Sequence, residues 1–277
     1  VHQFGLQSST SSSMKVTMEE PASNEAFFNS RLMGAMFVYD KNDFFGTASV
    51  HVESEALKKK SNELGKMGYG AMNRLVYRPL HDTGRLFQLG ISGAYETPRY
   101  NSEPTLNHTS FDLGANFPTR IAKVRAVNAL IPDAKNLIKF TPEMIAGYGP
   151  VALEAQYYYL QVNRKKDFKN YKASGMYGIL RGLLIGGNYR YSHTDCGIAT
   201  PDSGSLECVF GYNYTDMSDT RSHIYGGRLN DVSFTVNYYI NKYMIWRFRY
   251  SYTKITDRVG FENQSLSAFQ TRFQVIF

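Results

Sequence analysis

Arginine side chains recur on one face of two strand-like segments near the end of this 277-residue chain. Arg247 and Arg249 alternate with aromatic residues in 244–253, and Arg272 alternates with apolar residues in 267–277. Because successive side chains on a strand point to opposite faces, the three guanidinium groups are predicted to share a polar face. Such a positive face attracts anions by Coulomb attraction, which physiological salt screens over about 8 Å.

Other charged residues have the same phase in further predicted strands. The cations are Arg74, Arg78, Lys123, Arg125, Lys139 and Arg190, and the acids are Glu96, Glu143, Glu154 and Glu207. With the three arginines above, cations outnumber acids on this face by about two to one, which favours anions. The alternative is that arginines and carboxylates pair with each other and stiffen the sheet. Arg247, Arg249 and Arg272 lie on adjacent strands and cannot all pair with one neighbour.

The sequence predicts no catalytic or metal site and no cofactor. The run Ser192-His193-Thr194-Asp195 contains the residue types of a hydrolase triad, but adjacent residues on a strand point apart. Cys196 and Cys208 are the only cysteines, and His193 is their only nearby metal-binding partner. Two alternatives stay open for this pair: a disulfide that closes the turn before Cys208, or two free thiols.

The final segment and the composition indicate the class of sheet. Phe273, Val275 and Phe277 lie on the apolar face of a strand at the end of the given sequence, which is typical of outer-membrane β-barrels and predicts a membrane-assembly signal for the barrel assembly machinery. The chain has 21 Tyr and 18 Phe, which suit aromatic girdles. No run of about 20 apolar residues exists, which excludes a helical membrane span.

Strand-like segments separated by turn residues recur along the whole chain, and the clearest are 233–240 and 244–253. Further strands are predicted at 31–39, 44–52, 68–78, 87–96, 109–118, 120–131, 135–146, 153–159, 170–192 and 206–214. Short turns alternate with long polar loops, which is the habit of barrels, although 194–205 is long where a short turn is expected. The fold prediction is one all-β domain over 1–277, a transmembrane antiparallel β-barrel with about 12 or 13 strands in this chain.

Several short runs, in this order and spacing, resemble the phosphate-selective porin O and P family in its Bacteroidetes-type form. They include Phe4-Gly5-Leu6, Met18-Glu19-Glu20-Pro21, Arg74-Leu75-Val76-Tyr77-Arg78-Pro79-Leu80, Gly149-Pro150, Gly204-Ser205-Leu206-Glu207, Val236-Asn237-Tyr238-Tyr239-Ile240-Asn241 and Phe269-Gln270-Thr271-Arg272-Phe273-Gln274-Val275. The chain departs from the family pattern at Gln156, Leu180-Arg181-Gly182 and Gly211.

The resemblance implies a passive channel in the outer membrane of a Gram-negative bacterium, permeable to small hydrophilic solutes and anions such as phosphate. It further implies a barrel of about 16 strands, with the first strands and the signal peptide upstream of Val1. Homotrimers, contact with outer-membrane lipid and lipopolysaccharide, and a constriction loop at 10–31 that folds into the pore are also implied. An alternative for 10–31 is a loop that covers the rim.

The net charge of +7 implies an anionic partner, and nucleic acid, lipopolysaccharide and permeating anions each fit. The channel interpretation predicts no nucleic-acid partner and no enzymatic activity. Two other classes remain open at this point. One is a plugged or structural barrel that acts as an adhesin or as a subunit of an envelope complex. The other is a soluble β-sandwich that binds nucleic acid through its basic charge.

Overall fold

The computed structural model describes residues 4–9, 15–28, 32–52, 68–100, 109–119 and 124–275. The predicted residues Lys123 and Phe277 lie outside these ranges. In chain order the elements are α1 Leu6–Ser9, α2 Ala22–Phe27, β1 Met33–Lys41, β2 Phe44–Val52, β3 Tyr69–Asp82, β4 Arg85–Glu96, β5 Arg99–Tyr100, β6 Thr109–Asn116, β7 Arg125–Pro132, β8 Ala134–Tyr148, β9 Val151–Arg164, β10 Tyr171–Ile185, β11 Tyr191–Ser192, β12 Gly197–Ile198, β13 Leu206–Asp219, β14 Ile224–Asn241, β15 Met244–Arg258 and β16 Gln264–Val275.

Eleven of these strands form one antiparallel sheet, called the wall below. Its order is β1-β2-β3-β4-β8-β9-β10-β13-β14-β15-β16. Nearly every neighbour along the chain is a neighbour in the sheet, which confirms the predicted all-β antiparallel architecture. No helix in the described ranges is long and apolar enough to cross a membrane.

The two faces of the wall differ as the alternation of the sequence predicts. In β15, Trp246 and Tyr250 are exposed on the outer face, whereas Arg247 and Arg249 are buried on the inner face. β16 has the same arrangement, since its apolar residue Phe273 is exposed. In a soluble protein the apolar face of a sheet would be buried. A sheet with apolar side chains outside and charged side chains inside is stable where lipid surrounds it, because lipid contacts the apolar face.

The strands predicted at 109–118 and 120–131 exist, but they do not belong to the wall as expected. β6 and β7 pair with each other and with β5 in a separate three-stranded sheet, called the inner hairpin sheet. Val127, Ala129 and Ile131 are buried in one cluster with Leu229 and Ile255 of the inner face. The wall therefore has eleven strands, and β6 and β7 belong to a sheet of their own.

Two further segments lie against the inner face. The inner segment, residues 15–28, contains α2 and buries Ala22, Ala26 and Phe27. The second is the turn-side segment, residues 186–205, which carries the two-residue strands β11 and β12. The strand predicted over 170–192 ends at Ile185, because Gly186 takes a φ of 135° that ordinary side chains rarely adopt.

The turn-side segment is fixed to two neighbouring turns of the wall by main-chain hydrogen bonds. The amide of Gly84 donates to the carbonyl of Tyr189 at 2.8 Å, and the amide of Tyr189 donates to the carbonyl of Gly149 at 3.0 Å. The amide of Gly149 in turn donates to the carbonyl of Gly84 at 2.9 Å. Three turns of the same end of the sheet thus satisfy each other's polar groups, which explains why this long connection folds back on the sheet.

Candidate functional site

Ion pairs line the inner face of the wall. Arg74 and Glu143 pair at 2.6 Å, and neither side chain is exposed to solvent. Lys139 pairs with Glu96 at 2.7 Å. Pairing of this kind offsets the cost of removing charges from water. The sequence left open whether the cations of this face attract anions or pair with neighbouring carboxylates. For these residues, the structure shows the pairing.

A second buried cluster centres on Glu207, a predicted pore-lining residue of β13. Its carboxylate accepts hydrogen bonds from Arg181 Nε at 2.8 Å and from the hydroxyls of Tyr189 and Tyr239 at 2.7 and 2.8 Å. Asn237 Nδ2 donates to the same carboxylate at 3.0 Å. Four donors from β10, the turn-side segment and β14 thus meet at one acidic group, and the cluster joins three parts of the chain.

The three arginines at the end of the chain share the inner face, as predicted, but inserted segments cover them. Arg247 Nη1 donates to the carbonyl of Lys15 at 2.7 Å, and Arg272 pairs with Glu19 at 3.0 Å. Arg249 pairs with Asp231 at 3.1 Å and donates to the carbonyl of Pro118 at 2.9 Å. These arginines therefore hold the inner segment and the residues that follow β6 against the wall.

Arg247 differs from the other buried cations of the inner face. Arg247 is only 1% exposed. Among the described residues no carboxylate lies within ion-pair distance of it, and its Nε has no hydrogen-bond partner. Arg249 Nε also has no hydrogen-bond partner, but Arg249 pairs with a carboxylate, as do Arg74, Lys139, Arg181 and Arg272.

A cavity of about 120 Å³ lies beside Arg247, between the two inserted segments. Lys15 and Arg181 contribute cationic groups to its lining, and Glu154 and Asp195 contribute carboxylates. Gln7 Nε2 donates to Glu154 at 3.0 Å. The volume is enough for roughly four water molecules, at about 30 Å³ of liquid volume for each. The cavity is thus large enough for a small hydrated solute.

Two predicted pore-lining cations lie away from the inner face of the wall. Arg125 is at the start of β7 in the inner hairpin sheet, is 44% exposed and pairs with Asp112 at 2.6 Å. Arg190 lies beyond the end of β10 and pairs with Asp202, where both side chains are largely exposed. Their predicted inward orientation required wall strands at 120–131 and 170–192. β7 belongs to the inner hairpin sheet, and β10 ends at Ile185, so the predicted orientation of both arginines is wrong.

Sequence reasoning missed several residues of the inner face. In the sequence Arg181 stands out only as a departure from a family pattern, yet it has the same phase as Tyr177 and Ile179, which are buried. That alternation was a signal that could have placed it. Asp231 likewise shares its phase with the buried Ser233 and Thr235. Glu19 gave no comparable signal, because its role depends on Arg272 from a distant part of the chain.

The inner segment is attached at both α2 and its flanks. Ser23 Oγ donates to Asn213 Oδ1 at 2.7 Å, and the Tyr158 hydroxyl donates to Asn24 Oδ1 at 2.7 Å. Glu25 accepts from Asn116 Nδ2 at 2.6 Å, and burial raises the pKa of this carboxyl group. The segment therefore contacts β9, β13 and the inner hairpin sheet at once.

Cys196 and Cys208 are both free thiols, which is the second of the two alternatives left open by the sequence. Cys208 follows the outer phase of β13, whereas Cys196 is buried inside, with Arg78 Nη1 donating to its sulfur at 3.5 Å. Because the two side chains lie on opposite faces of the sheet, their Cβ atoms cannot approach to disulfide distance.

We expect thiol titration of the unfolded, unreduced protein to find both cysteines. In a Cys208→Ala variant, the folded protein should react slowly with a thiol reagent at pH 8, and unfolding should restore a rapid reaction. Burial raises the pKa of the Cys196 thiol, so less reactive thiolate is present at that pH. Absence of free thiols after unfolding, or fast labelling of the folded variant, would contradict this arrangement.

An antiparallel wall with an apolar outer face, and with charged side chains and inserted segments inside, defines the class of outer-membrane β-barrel channels. The chain belongs to the phosphate-selective porin O and P family, whose family model matches residues 2–277. It is therefore an outer-membrane porin by family, a class of channels. A search of curated proteins gave no match.

Proposed function

We propose that this porin is a passive diffusion channel for small hydrophilic solutes with a preference for anions. Arg247 carries the proposal, because it is a buried guanidinium group with no carboxylate within ion-pair distance in the described part of the chain. A fixed positive charge in the lumen lowers the energy of a passing anion and raises that of a cation. Phosphate itself is supported by the family alone.

We also propose that the inserted segments narrow the channel. The inner segment, which includes the greater part of the predicted constriction at 10–31, is buried against the wall through Ser23, Asn24 and Phe27. The inner hairpin sheet and the turn-side segment occupy the same side of the wall. A solute would then pass between inserted chain and charged wall, where the side chains that select it lie close to its path.

The edges of the sheet support a larger barrel. β1 and β16 are the two ends of the strand order, and they do not pair with each other in the described residues. Open sheet edges are not tolerated in hydrocarbon, so we propose that further strands join these edges. The Bacteroidetes-type form, the homotrimer, and the contacts with lipopolysaccharide and the barrel assembly machinery rest on the family resemblance and stay predictions.

Anion preference is tested by the reversal potential of single channels in a potassium chloride gradient. We expect the potential to have the sign of chloride permeation, and Arg247→Gln to shift it towards zero because one lumenal charge is removed. Arg228→Gln is the matched control, since Arg228 is half-exposed and pairs with Asp216 and Asp257 outside the cavity. Cation-selective steps, or an equal shift in both variants, would refute the preference, and a folded barrel without steps would indicate a plugged one.

A further inference from the structure

The outer face of β9 changes from apolar to polar near the end of the strand. Tyr157 and Tyr159 are followed on this face by Gln161 and Asn163. The Tyr159 hydroxyl donates to Gln161 Oε1 at 3.3 Å, and Gln161 Nε2 donates to Asn163 Oδ1 at 2.7 Å. Asn163 Nδ2 then donates to Oδ1 of Asn136 in β8 at 2.7 Å. Tyrosines form girdles at membrane interfaces, so these three amides, called the amide ladder, lie at the level of lipid headgroups.

Five lysines surround the amide ladder. They are Lys135 next to Asn136, Lys172 opposite Gln161 in β10, and Lys165, Lys166 and Lys169 in the tip that joins β9 to β10, residues 165–170. Within the described residues, none of the five has a carboxylate at ion-pair distance. Their ammonium groups are therefore available to an anionic group at the surface.

The carboxylates packed near these lysines do not cancel their charge. Asp167 is the one acid of the tip, and Asp133 is buried at its base. Asp219 of β13 accepts from the main-chain amide of Lys172 at 2.9 Å. Five lysines against three carboxylates leave the surface positive, which favours a partner with more than one negative charge.

The tip is folded, so it presents its lysines from a fixed turn. The amide of Lys165 donates to the carbonyl of Asp133 at 2.7 Å, and the amide of Phe168 donates to the carbonyl of Lys165 at 3.2 Å. The Arg164 guanidinium group lies over the ring of Phe168, 4.6 Å from its centre. A preformed arrangement of donors loses less conformational freedom when a ligand binds.

The tip lies at the end of the wall opposite to the turn-side segment. At the turn-side end, two residues separate β3 from β4 and two separate β8 from β9, whereas residues 53–68 connect β2 to β3 at the end with the tip. Outer-membrane barrels have short turns on the periplasmic side and long loops outside. This arrangement directs the tip and the amide ladder towards the outer leaflet, where the lipid is lipopolysaccharide.

We propose that the amide ladder and its five lysines bind the phosphorylated headgroup of lipopolysaccharide. Phosphate oxygens accept charge-assisted hydrogen bonds from ammonium groups, and sugar hydroxyls bond to amides. The acyl chains of the same lipid would lie on the apolar outer face, where the rings of Phe140 and Tyr159 pack with centroids 5.3 Å apart. The proposal rests on the proposed function for the membrane around the chain, and it names the surface that this lipid contacts.

The test counts the lipid bound to the detergent-solubilised full-length protein by native mass spectrometry. The probe is lipid A with both phosphates, the membrane-embedded part of lipopolysaccharide, and it is compared with dephosphorylated lipid A and with phosphatidylglycerol. We expect phosphorylated lipid A to bind most tightly. Lys165→Gln combined with Lys166→Gln should weaken its binding roughly tenfold or more, since each lysine near an anionic surface contributes about 1 kcal/mol.

The control is Lys41→Gln combined with Lys242→Gln, which removes the same charge at the turn-side end and should bind lipid A like the unmodified protein. Equal binding of the three lipids, unchanged affinity in the tip variant or equal weakening in the control would each overturn the site. Heat-modifiable migration on gels shows whether each variant is folded.

If the tip variant does not fold, Lys169→Gln combined with Lys172→Gln decides, and unchanged affinity in that variant overturns the site. Lipid binding does not depend on conduction. A conducting channel without selective lipid A binding therefore rejects the site alone, and lipid A binding without conduction rejects the channel alone.

Discussion

Replacing Glu207 by alanine is expected to lower the free energy of unfolding by about 3–5 kcal/mol, the cost typical of breaking a buried ion pair by removing one partner. Glu207 is 0% exposed and accepts from Arg181, Tyr189, Asn237 and Tyr239. Its loss leaves the buried Arg181 guanidinium group without its hydrogen-bonded carboxylate. The measurement is urea-induced unfolding of the protein in lipid vesicles, followed by tryptophan fluorescence.

A double-mutant cycle separates the pair from the burial cost. Glu207→Leu combined with Arg181→Met removes both charges, and we expect it to be less destabilising than Glu207→Leu alone. Asp202→Asn serves as the control, because its pair with Arg190 is exposed and should contribute less than about 1 kcal/mol. Equal losses for Glu207→Ala and Asp202→Asn would show that the cluster does not stabilise the fold.

Phe27→Ala is expected to cost about 3–5 kcal/mol of the stability with which the inner segment is bound to the wall. Phe27 is 2% exposed, and its ring stacks on Tyr158 with centroids 5.6 Å apart. It also lies close to Gly175, where an added Cβ would come within 2.9 Å of the Phe27 ring. Truncation leaves a cavity between α2, β9 and β10 that the wall cannot close.

The effect appears either in the urea midpoint or, if the inner segment opens separately, in hydrogen exchange of the α2 amides. Phe210→Ala is the matched control, because Phe210 lies on the outer face, is 56% exposed and packs in a tilted arrangement against the ring of Phe234. Lipid or detergent can fill the space left there, so we expect a much smaller loss. Unchanged midpoint and unchanged exchange in Phe27→Ala would refute the anchoring role of this ring.

Alternation along the chain was sufficient to predict the two faces of the wall. Trp246 and Arg247, and likewise Phe273 and Arg272, lie on the faces that the sequence indicates. The reason is local, since a strand orients successive side chains oppositely whatever its partners are. Gly84 and Gly149 take positive φ angles in turns of the wall, a conformation that favours glycine.

The same alternation could not place the inner hairpin sheet. β6 and β7 have strand-like sequences, but a period of two does not tell whether a strand joins the wall or packs inside it. That choice depends on whether residues such as Val127 find apolar partners on β14, which are far away in sequence. Arg125 was misplaced for this reason.

What the sequence by itself determined is the antiparallel β class, the outward and inward phases of the wall strands, and the charged character of the inner face. Only the tertiary structure decided which of those charges are neutralised. Arg249 meets Asp231 and Arg272 meets Glu19, whereas Arg247 meets the carbonyl of Lys15 from 232 positions away. Pairing depends on distances of a few ångströms between distant segments, and no local pattern in a chain encodes such distances.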